Sequence, residues 1–476
     1  MLKIHNTLTK QKEDFHPINP GKVGIYVCGP TVYGYIHIGN IRAYLMADIL
    51  RRALTHRGYE VRMIKNITDV GHLTQDDVAQ GDTGEDKIAA KAAAEKKTPE
   101  EIARFYENYF HETEEKLNIL PSHFYPRATE HIPHMIRMIE GLIAKGHAYE
   151  KNGNVFFDVT SFPNYGKLSG NTLAQLKVGA RLEQHPDKKN PWDFALWLAA
   201  PKGHLMQWDS PWSRGYPGWH IECSAMSMEY LGDSFDIHTG GEDNIFPHHE
   251  AEIAQSEGYS DKPFTRYWMH TRHLLVDNEK MSKSKGNFYT LEDITAKGYT
   301  PMDLRLSLLL SQYTATMNFT WERMQQAKEN RRTLDRFAQR LATYATSATE
   351  HDQERIDVGA VHKKFDDAMD DSLNTPLALS VLFALITEGN VLMDEKRLAN
   401  PEDVRTIVDK MLSVLGILLV ADEGETIPKE ITNLALRREH ARTEKDFVTS
   451  DRLREEIEAK GYRIEDVPTG YVLKKK

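Results

Sequence analysis

The fold of this chain is decided by the stretch KVGIYVCGPTVYGYIHIGNIRAY, residues 22 to 44. Its first part, KVGIYVC, has the apolar character of a short buried strand and ends at the turn-forming pair Gly29-Pro30. From 38 to 55 apolar residues recur at helical spacing, Gly58 closes the run, and EVRMIKNI (60–67) follows as a second strand. Strand, helix and strand in this order predict a parallel unit of an α/β nucleotide-binding domain.

Outward from this unit the pattern changes twice. Residues 149–159, around Asn152-Gly153, predict a hairpin, and the region from there to 215 is rich in Pro, Gly, Asp and Trp. We interpret this region as part of an inserted module. The α/β pattern resumes with FDIH (235–238), and a helix is expected to open at Pro247. Almost everything after 321 is predicted to be helical, including FDDAMDDSLNTPLALSVLFALI and the basic C-terminal segment.

Composition indicates an ordinary globular protein, with 40% apolar and 27% charged residues. No run of eighteen apolar residues and no secretory signal is found, so we expect no membrane partner. Two cysteines are too few for a disulfide framework, and a cytoplasmic location is expected. The net charge is −10, yet a local basic cluster can still bind nucleic acid. Such a cluster, which alone is more typical of a solvated helix face, comprises Arg437, Arg438, Arg442, Lys445, Arg452, Arg454, Lys460, Arg463 and 474–476.

Two short motifs contain residues suited to phosphate chemistry. TVYGYIHIGNIRAY (31–44) places His37, Gly39 and Asn40 at a strand-to-helix junction, where backbone N–H groups and the helix dipole favour an anion such as a triphosphate. Far downstream, KMSKSKGN (280–287) is a cationic loop able to close on phosphates. Alone, the first is more often a capped helix with a surface histidine and the second a solvated loop. Together they resemble the double signature of class I aminoacyl-tRNA synthetases.

Four residues have the side chains of a metal site. They are Cys28, which ends the first strand, Cys223 in GWHIECSAM, and the pair His248 and Glu252, which should share one helix face. Two thiolates, an imidazole and a carboxylate suit zinc, although the spacing is not that of a zinc finger. On residue types alone, buried unreactive cysteines and an ion pair on a helix surface explain them better.

A resemblance over most of the chain bears on this choice. Seven segments resemble cysteinyl-tRNA synthetases. In order along the sequence they are CGPTVYGYIHIGN, KNITDV, NYGKLSG, NPWDFALW, DSPWSRGYPGWHIECSAMSMEYLG, FDIHTGGEDNIFPHHEAEIAQSEG and KMSKSKGN. FDDAMDDSLNTPLAL and the tail from ALRREHAR extend the similarity. The resemblance implies that Cys28, Cys223, His248 and Glu252 hold one Zn²⁺ per chain at the bottom of an amino-acid pocket.

The resemblance also implies roles for further residues. The catalytic residues would be His37, Asn40, Lys280 and Lys283, with Lys283 stabilising transition-state charge and Lys280 supporting it. Cysteine would contact Thr68 and Trp219. The residues expected to bind ATP are Thr31, His37, Gly39, Asn40, Gly240, Gly241, Asp243 and Lys283.

The implied reaction is the activation of L-cysteine by ATP with Mg²⁺, followed by transfer of the cysteinyl group to the 3′ end of tRNA(Cys). Pyrophosphate and AMP are the products. A zinc ion that recognises the thiolate would reject serine without an editing domain. The expected partners are tRNA(Cys), ATP and L-cysteine, and the expected state is a monomer.

The implied fold class is α/β, a class I synthetase Rossmann-type parallel sheet with an inserted module, followed by an α-helical C-terminal domain. The expected divisions are 1–120 (first half of the catalytic domain with the HIGH-like motif), 121–215 (inserted connective module), 216–270 (second half), 271–345 (KMSKS loop and helical stem-contact region) and 346–476 (helical anticodon-binding domain).

Two departures and two alternatives accompany this interpretation. Asn40 occupies the last position of the HIGH motif and cannot carry a positive charge, and SQYTATMNF (311–319) differs from the more usual HYRSPLNF pattern. A related ligase transfers activated cysteine to an amino sugar, but it lacks the extra C-terminal helical domain. A catalytically inactive paralogue that only binds RNA is disfavoured by the intact lysines and zinc-type residues.

Overall fold

A computed structural model describes residues 1–70, 73–75, 83–173, 175, 185–282, 285–344, 352–419, 429–443, 446–467 and 470–475. The chain divides into two compact units, Met1–Leu418 and Leu419–Lys476, and each is described by itself. The low-apolar stretch 345–358, which the sequence suggests as a linker, lies outside the described residues over its first half, 345–351.

The strands found in the described part of the chain form six small sheets. In chain order they are β1 (Lys3–Asn6), β2 (Gln11–Asp14), β3 (Lys22–Val27), β4 (Glu60–Lys65), β5 (Leu73–Gln75), β6 (Thr83–Asp86), β7 (Ala148–Lys151), β8 (Asn154–Phe157), β9 (Phe194–Ala199), β10 (Trp208–Asp209), β11 (Arg214–Pro217), β12 (Phe235–Gly241), β13 (Thr265–Thr271), β14 (Leu274–Val276), β15 (Glu279–Lys280), β16 (Met317–Phe319), β17 (Tyr462–Val467) and β18 (Gly470–Lys475).

The helices separate and follow these strands. In chain order they are α1 (Ile38–His56), α2 (Lys87–Glu95), α3 (Pro99–Lys116), α4 (Ile132–Ala144), α5 (Trp219–Leu231), α6 (Glu250–Ser260), α7 (Leu291–Ala296), α8 (Pro301–Leu309), α9 (Trp321–Thr343), α10 (Val358–Asp370), α11 (Thr375–Asp394), α12 (Pro401–Leu415), α13 (Lys429–Thr443) and α14 (Phe447–Ala459).

The central element of the first unit is a parallel sheet with the strand order β13-β12-β3-β4. The strand, helix and strand predicted from residues 22 to 67 are β3, α1 and β4, so that prediction is confirmed. Tyr26, Ile64 and Ile237 are completely buried, as expected where helices cover a parallel sheet. The carboxyl ends of β3, β4 and β12 therefore meet at one edge of the sheet.

The region between β4 and β12 contributes a separate antiparallel sheet with the order β10-β11-β9-β8-β7. The predicted hairpin is β7–β8, and its turn residues Asn152 and Gly153 both have positive φ, 52° and 82°. A two-residue turn of this kind fits the twist of the flanking strands and favours Asn-Gly. The hairpin prediction is confirmed.

A third sheet, with the order β15-β14-β16, follows β13 directly. Strand β14 pairs with β15 in an antiparallel hairpin and with β16 in parallel, so that Leu274 lies opposite Met317. The hairpin ends at Lys280, the first lysine of KMSKSKGN. The position of this lysine thus depends on how β14 and β16 are anchored.

Helix α1 is held by a buried ionic network at its middle. Asp48, completely buried in its side chain, accepts hydrogen bonds from Arg52 (2.9 Å) and Arg305 (2.5 Å). Burial alone would raise the pKa of Asp48, but the two guanidinium groups hold that pKa below its usual value. Arg305 also donates to the carbonyl oxygens of Leu415, Leu117 and Asn118, and so joins α8, α12 and the end of α3 to α1.

Helices α9 to α12 form the C-terminal, helical part of the first unit. The chain between α10 and α11 is broken at Ser372 and Leu373, which have φ of 57° and 53°, and Asn374 caps α11. Among the described residues, α11 is the one helix long and apolar enough to cross a membrane by length and composition. It contacts α9, α10 and α12, and its buried residues include Leu379.

The second unit corrects the prediction of an all-helical tail. Helices α13 and α14 are followed by the antiparallel hairpin β17–β18. Gly461 has a φ of 81° and ends α14, and the apolar residues Tyr462 and Ile464 then alternate with polar ones, which suits a strand. The basic cluster is not one solvated face either, because Arg438 is buried, and Lys445 and Lys476 lie outside the described residues.

Candidate active site

A cavity of about 410 Å³ lies at the carboxyl edge of the parallel sheet. Open parallel sheets bind ligands at this edge, where each chain segment turns from strand to helix. The cavity walls include ten of the residues predicted from the sequence: Cys28, Thr31, His37, Gly39, Asn40, Thr68, Trp219, Gly241, Asp243 and Lys280. Two motifs from opposite halves of the catalytic region thus meet around one space.

His37 and Asn40 cap the first turn of α1 for each other. The Nδ1 atom of His37 accepts from the backbone N–H groups of Gly39 (3.0 Å) and Asn40 (3.3 Å), and Oδ1 of Asn40 accepts from the N–H of His37 (3.1 Å). A neutral imidazole that accepts at Nδ1 carries its proton on Nε2, and an amide whose oxygen accepts keeps its NH₂ group for donation. The cap therefore fixes which atoms can donate to a ligand.

Gly39 lies where the two motifs touch. A Cβ atom at this position would be 2.8 Å from the terminal methyl of Met281 and 2.8 Å from Cε1 of His37. The ring of Phe288 meets that of His37 edge to face, with centroids 5.0 Å apart. A larger side chain here would force the Met281 methyl and the His37 ring to move, so glycine lets α1 and the lysine-containing segment approach each other.

Lys280 is largely exposed and forms a long ion pair, with Nζ 3.5 Å from Oδ1 of Asp243. After it, Oδ1 of Asn287 accepts from the N–H of Ser282 at 2.8 Å, and Lys285 pairs with Glu279 at 2.9 Å. Lys283 lies outside the described residues. The described lysine is thus placed at the cavity by contacts that a charged ligand could replace.

The remaining predicted contact residues lie on the ends of strands. Thr31 and Thr68 form a parallel bridge between the segments after β3 and β4, and Oγ1 of Thr68 accepts from Nδ2 of Asn66 at 3.0 Å. Gly241 lines the cavity, whereas Gly240 packs against His249, with a Cβ position 2.6 Å from the ring. Gly240 therefore shapes the wall from behind.

Cys28, Cys223 and His248 bring three ligand atoms within 4.8 Å of one another, and they are called the thiol–imidazole group below. Cys223 is on α5 and is buried, as is His248, while Cys28 is half-buried and reaches the cavity. Hydrogen bonding to Cys28 and burial raise the pKa of the Cys223 thiol well above its usual value. A divalent cation would reverse this shift by favouring thiolates.

Glu252, the fourth predicted ligand, adjoins this group through His248. Its Oε1 is 3.1 Å from Nε2 of His248, and its Oε2 is 2.9 Å from Nε2 of His238. Oε1 accepts no hydrogen bond among the described residues, although the side chain is completely buried. Burial raises the pKa of Glu252 well above its usual value. A buried carboxylate oxygen without a donor fits a place beside a cation.

The turn that positions His248 differs from the prediction. The regular helix α6 begins at Glu250, not at Pro247, and in the preceding turn Phe246 is extended, with φ −141° and ψ 132°. A residue before proline is restricted to extended backbone. A wide turn, Ile245–His249, leads into α6. His248 still contacts Glu252 across this junction.

Sequence reasoning missed a set of buried histidines behind the site. Nδ1 of His220 is 2.8 Å from Nδ1 of His248, and Nδ1 of His249 is 2.7 Å from Nε2 of His270. Burial lowers the pKa of His238 and of His270 to about 3, so both are neutral at pH 7. The signal was the repeated histidine in WHIEC, FDIHTGG and FPHHE.

Trp219 covers the thiol–imidazole group from the cavity side. Its indole stacks on His248, with centroids 4.4 Å apart and an interplanar angle of 26°. Because Trp219 and Cys28 both line the cavity, a small ligand there meets an aromatic face and a sulfur together. This surface is suited to a small, soft, apolar group.

Comparisons with known proteins identify the family of the chain. The family "tRNA synthetases class I (C) catalytic domain" matches residues 14–329, and a DALR domain matches residues 364–419. The Cysteine--tRNA ligase of Chlorobaculum tepidum is 43% identical over all of this chain and 99% of its own length. The chain belongs to the cysteine–tRNA ligase family. Another family member, the Cysteine--tRNA ligase of Thermus thermophilus, is 45% identical over 98% of both chains.

Solved structures confirm the class I synthetase fold of this family member. Mycobacterium tuberculosis methionyl-tRNA synthetase in complex with methionyl-adenylate has a TM-score of 0.56 and 14% identity, over 87% of this chain and 94% of that one. The LeuRS of the Agrobacterium radiobacter K84 LeuRS-tRNA-LeuAMS complex has a TM-score of 0.58 and 12% identity, over 85% of each chain. At these identities the likeness concerns the fold alone.

Proposed function

We propose that the chain activates L-cysteine with ATP to give cysteinyl-adenylate and pyrophosphate, and then transfers the cysteinyl group to the 3′ end of tRNA(Cys), releasing AMP. One observation carries the proposal. A single cavity is lined by Cys28 and Trp219 and also by His37, Asn40 and Lys280. A thiol-recognising surface and a phosphate-binding surface therefore face the same substrates.

The phosphate side of the reaction belongs to α1 and the lysine-containing segment. Nε2 of His37 and Nδ2 of Asn40 donate to phosphate oxygens, and the helix dipole favours their negative charge. Lys280 leaves Asp243 for the phosphates, and Lys283 joins it as charge develops. The carboxylate of cysteine attacks the α-phosphorus in line, with Mg²⁺ on ATP. Thr31, Gly39, Gly240, Gly241 and Asp243 shape the nucleotide site.

The cysteine side belongs to the thiol–imidazole group. Cys28, Cys223, His248 and Glu252 would hold Zn²⁺, since their ligand types suit this ion. The ligand atoms of Cys28, Cys223 and His248 lie within 4.8 Å of one another, and Glu252 adjoins them through His248. Bound zinc would supply a soft Lewis acid, to which a cysteine sulfur binds and a serine hydroxyl does not. Trp219 packs beside the substrate sulfur, and Thr68 lies near its amino group.

In the second step a ribose hydroxyl of the terminal tRNA adenosine, the 2′-OH in class I enzymes, attacks the mixed anhydride. The phosphate of AMP can take the proton, so the protein need only hold the reactants in place. The DALR domain at 364–419 supports tRNA over an amino sugar as the acceptor. We further propose that the chain acts as a monomer in the cytoplasm with no membrane partner.

The test is cysteine-dependent exchange of pyrophosphate into ATP, followed by charging of tRNA(Cys), before and after zinc is removed by a chelator. We expect both activities with cysteine, neither with serine, and recovery when zinc is restored. Exchange without tRNA charging would assign the chain to the amino-sugar ligases. Equal activity with serine, or full activity in metal-free protein, would overturn the proposed recognition of cysteine.

A further inference from the structure

Arg42 is a buried cation beside the active site. It lies on α1, two positions after Asn40, and is only 3% exposed. Among the described residues it forms no ion pair with a carboxylate. Burial first, and then Arg323, lowers the pKa of Arg42 to about 10, so the guanidinium is charged at neutral pH. A buried charge of this kind has to be stabilised by dipoles.

Four backbone carbonyls stabilise this charge. Nη1 of Arg42 donates to the carbonyl oxygens of Arg272 (2.6 Å) and His273 (3.1 Å). Nη2 donates to those of Gln312 (3.0 Å) and Ala315 (2.7 Å). One planar side chain therefore joins three separate stretches of chain with directed hydrogen bonds. No shorter or non-planar side chain can reproduce this fork.

The two acceptor segments have different places in the fold. Arg272 and His273 follow β13 and line the cavity. Gln312 and Ala315 belong to SQYTATMNF, the segment that departs from the family pattern. Beyond these carbonyls the two segments continue as the paired strands β14 and β16. Arg42 thus lies at the point from which the β14–β15 hairpin extends to Lys280.

We propose that Arg42 is a positioning residue for adenylate formation, which fixes the base of the hairpin ending at Lys280 against the helix that begins with His37 and Asn40. The proposal rests on the proposed function and deepens it. Because His37 and Asn40 lie on the same helix as Arg42, the guanidinium sets the spacing between the two phosphate-binding motifs. The thiol–imidazole group is anchored on other elements and does not depend on this fork.

The deciding variant is Arg42→Lys, which keeps the charge but loses the planar arrangement of donors. We expect kcat for cysteine-dependent pyrophosphate exchange to fall by about 30-fold, because misplaced charge loses its effect on the transition state. KM for cysteine should stay within about twofold, since a positioning residue acts after cysteine has bound. Arg42→Gln, with two donors and no charge, serves as the second variant if Arg42→Lys folds poorly.

The chain offers a matched control in Arg305→Lys. Arg305 is also completely buried and donates to the carbonyls of Leu117, Asn118 and Leu415, none of which lines the cavity. This variant should lose thermal stability in the same way but keep kcat within about threefold. Equal kcat losses in both variants, or an unchanged kcat in Arg42→Lys, would overturn the proposal.

A second readout does not depend on activity. Trypsin cleavage after Lys280 reports how firmly the hairpin is held, and it should be about tenfold faster in Arg42→Lys than in wild type or Arg305→Lys. Wild-type protein without cysteine-dependent exchange would refute the proposed function alone. In that case the cleavage rates still decide the proposal: a rate unchanged by Arg42→Lys refutes the positioning role.

Discussion

The two sides of the cavity are built in opposite ways. Cys223, His248 and Glu252 are buried, are backed by hydrogen-bonded histidines, and lie on elements of the parallel-sheet core. Lys280 and Asp243, by contrast, are 76% and 71% exposed in their side chains and 3.5 Å apart. An exposed pair of this kind contributes about 1 kcal/mol or less. We therefore expect the proposed amino-acid side to be formed before any substrate binds, and the Lys280–Asp243 pair on the proposed phosphate side to rearrange when ATP binds.

Breaking the formed side should have the largest effect. Cys223→Ser keeps the size of the side chain but removes a soft ligand, so zinc should be lost from the protein. Cysteine-dependent pyrophosphate exchange should fall on the order of 10³-fold, or about 4 kcal/mol. Metal analysis and exchange assays check this, with Ser227→Ala, a buried change on the same helix, as the control. Retained zinc and activity in Cys223→Ser would contradict the proposal that the buried side of the cavity recognises cysteine through a metal.

Breaking the assembled side should affect rate more than affinity. Lys280→Ala and Lys283→Ala should each lower kcat for adenylate formation by about 100-fold, because in the proposed mechanism the lysines act mainly in the transition state. KM for cysteine should change by no more than about twofold. Lys285→Ala removes an exposed pair with Glu279 in the same segment and should have little effect. Equal effects on kcat and cysteine affinity would show that the two sides are not separate.

The histidines behind the formed side should make its stability depend on pH. Burial lowers the pKa of His270 to about 3, below its unfolded value near 6.5. The unfolded chain therefore binds the proton more readily than the folded chain. The contribution of neutral His270 to the free energy of unfolding is complete above pH 6.5 and is lost as the pH falls towards 3. At pH 5 the loss from this group is about 2 kcal/mol.

Urea unfolding at pH 7 and pH 5 of wild type and His270→Gln measures this contribution. The glutamine can still contact Thr7 and His249, the partners of His270, but it does not titrate. We expect the variant to lose less stability between the two pH values. Parallel losses in the two proteins would assign the pH dependence to other groups.

The smallest expected effect is at Asn40, where two variants distinguish its role in capping α1 from its proposed role as a donor to ATP. Asn40→Ala removes the oxygen that accepts from the N–H of His37 and should cost about 1 kcal/mol in the free energy of unfolding. Asn40→Asp keeps an acceptor for the cap but loses the amide donor and adds a negative charge. It should therefore retain stability and raise KM for ATP. Thermal unfolding and exchange assays check both, and identical behaviour of the two variants would refute the double role.

The sequence predicted the parts of the molecule that depend on local patterns. Apolar periodicity located β3, α1 and β4, and Asn152-Gly153 located a hairpin, because short-range backbone preferences determine these elements. The β17–β18 hairpin was missed because charge in the tail was given more weight than alternation. The resemblance named candidate site residues, ten of which line one cavity, but neither the reciprocal cap of His37 and Asn40 nor the fork of Arg42 was predicted from the sequence. The fork depends on backbone carbonyls that are far from Arg42 in the chain. The cap lies inside a motif whose residues were interpreted as phosphate-binding only.

The absence of a side chain at Gly39 has a consequence for how this protein can vary. The methyl of Met281 already occupies the space beside Gly39, so the two signature segments are in van der Waals contact before any substrate is present. A larger residue at position 39 would press against the Met281 methyl and so against the segment that follows Lys280. A smaller residue at 281 would relieve only one of the two contacts, because the ring of His37 lies equally close to the same Cβ position, so position 39 is constrained from within its own motif as well.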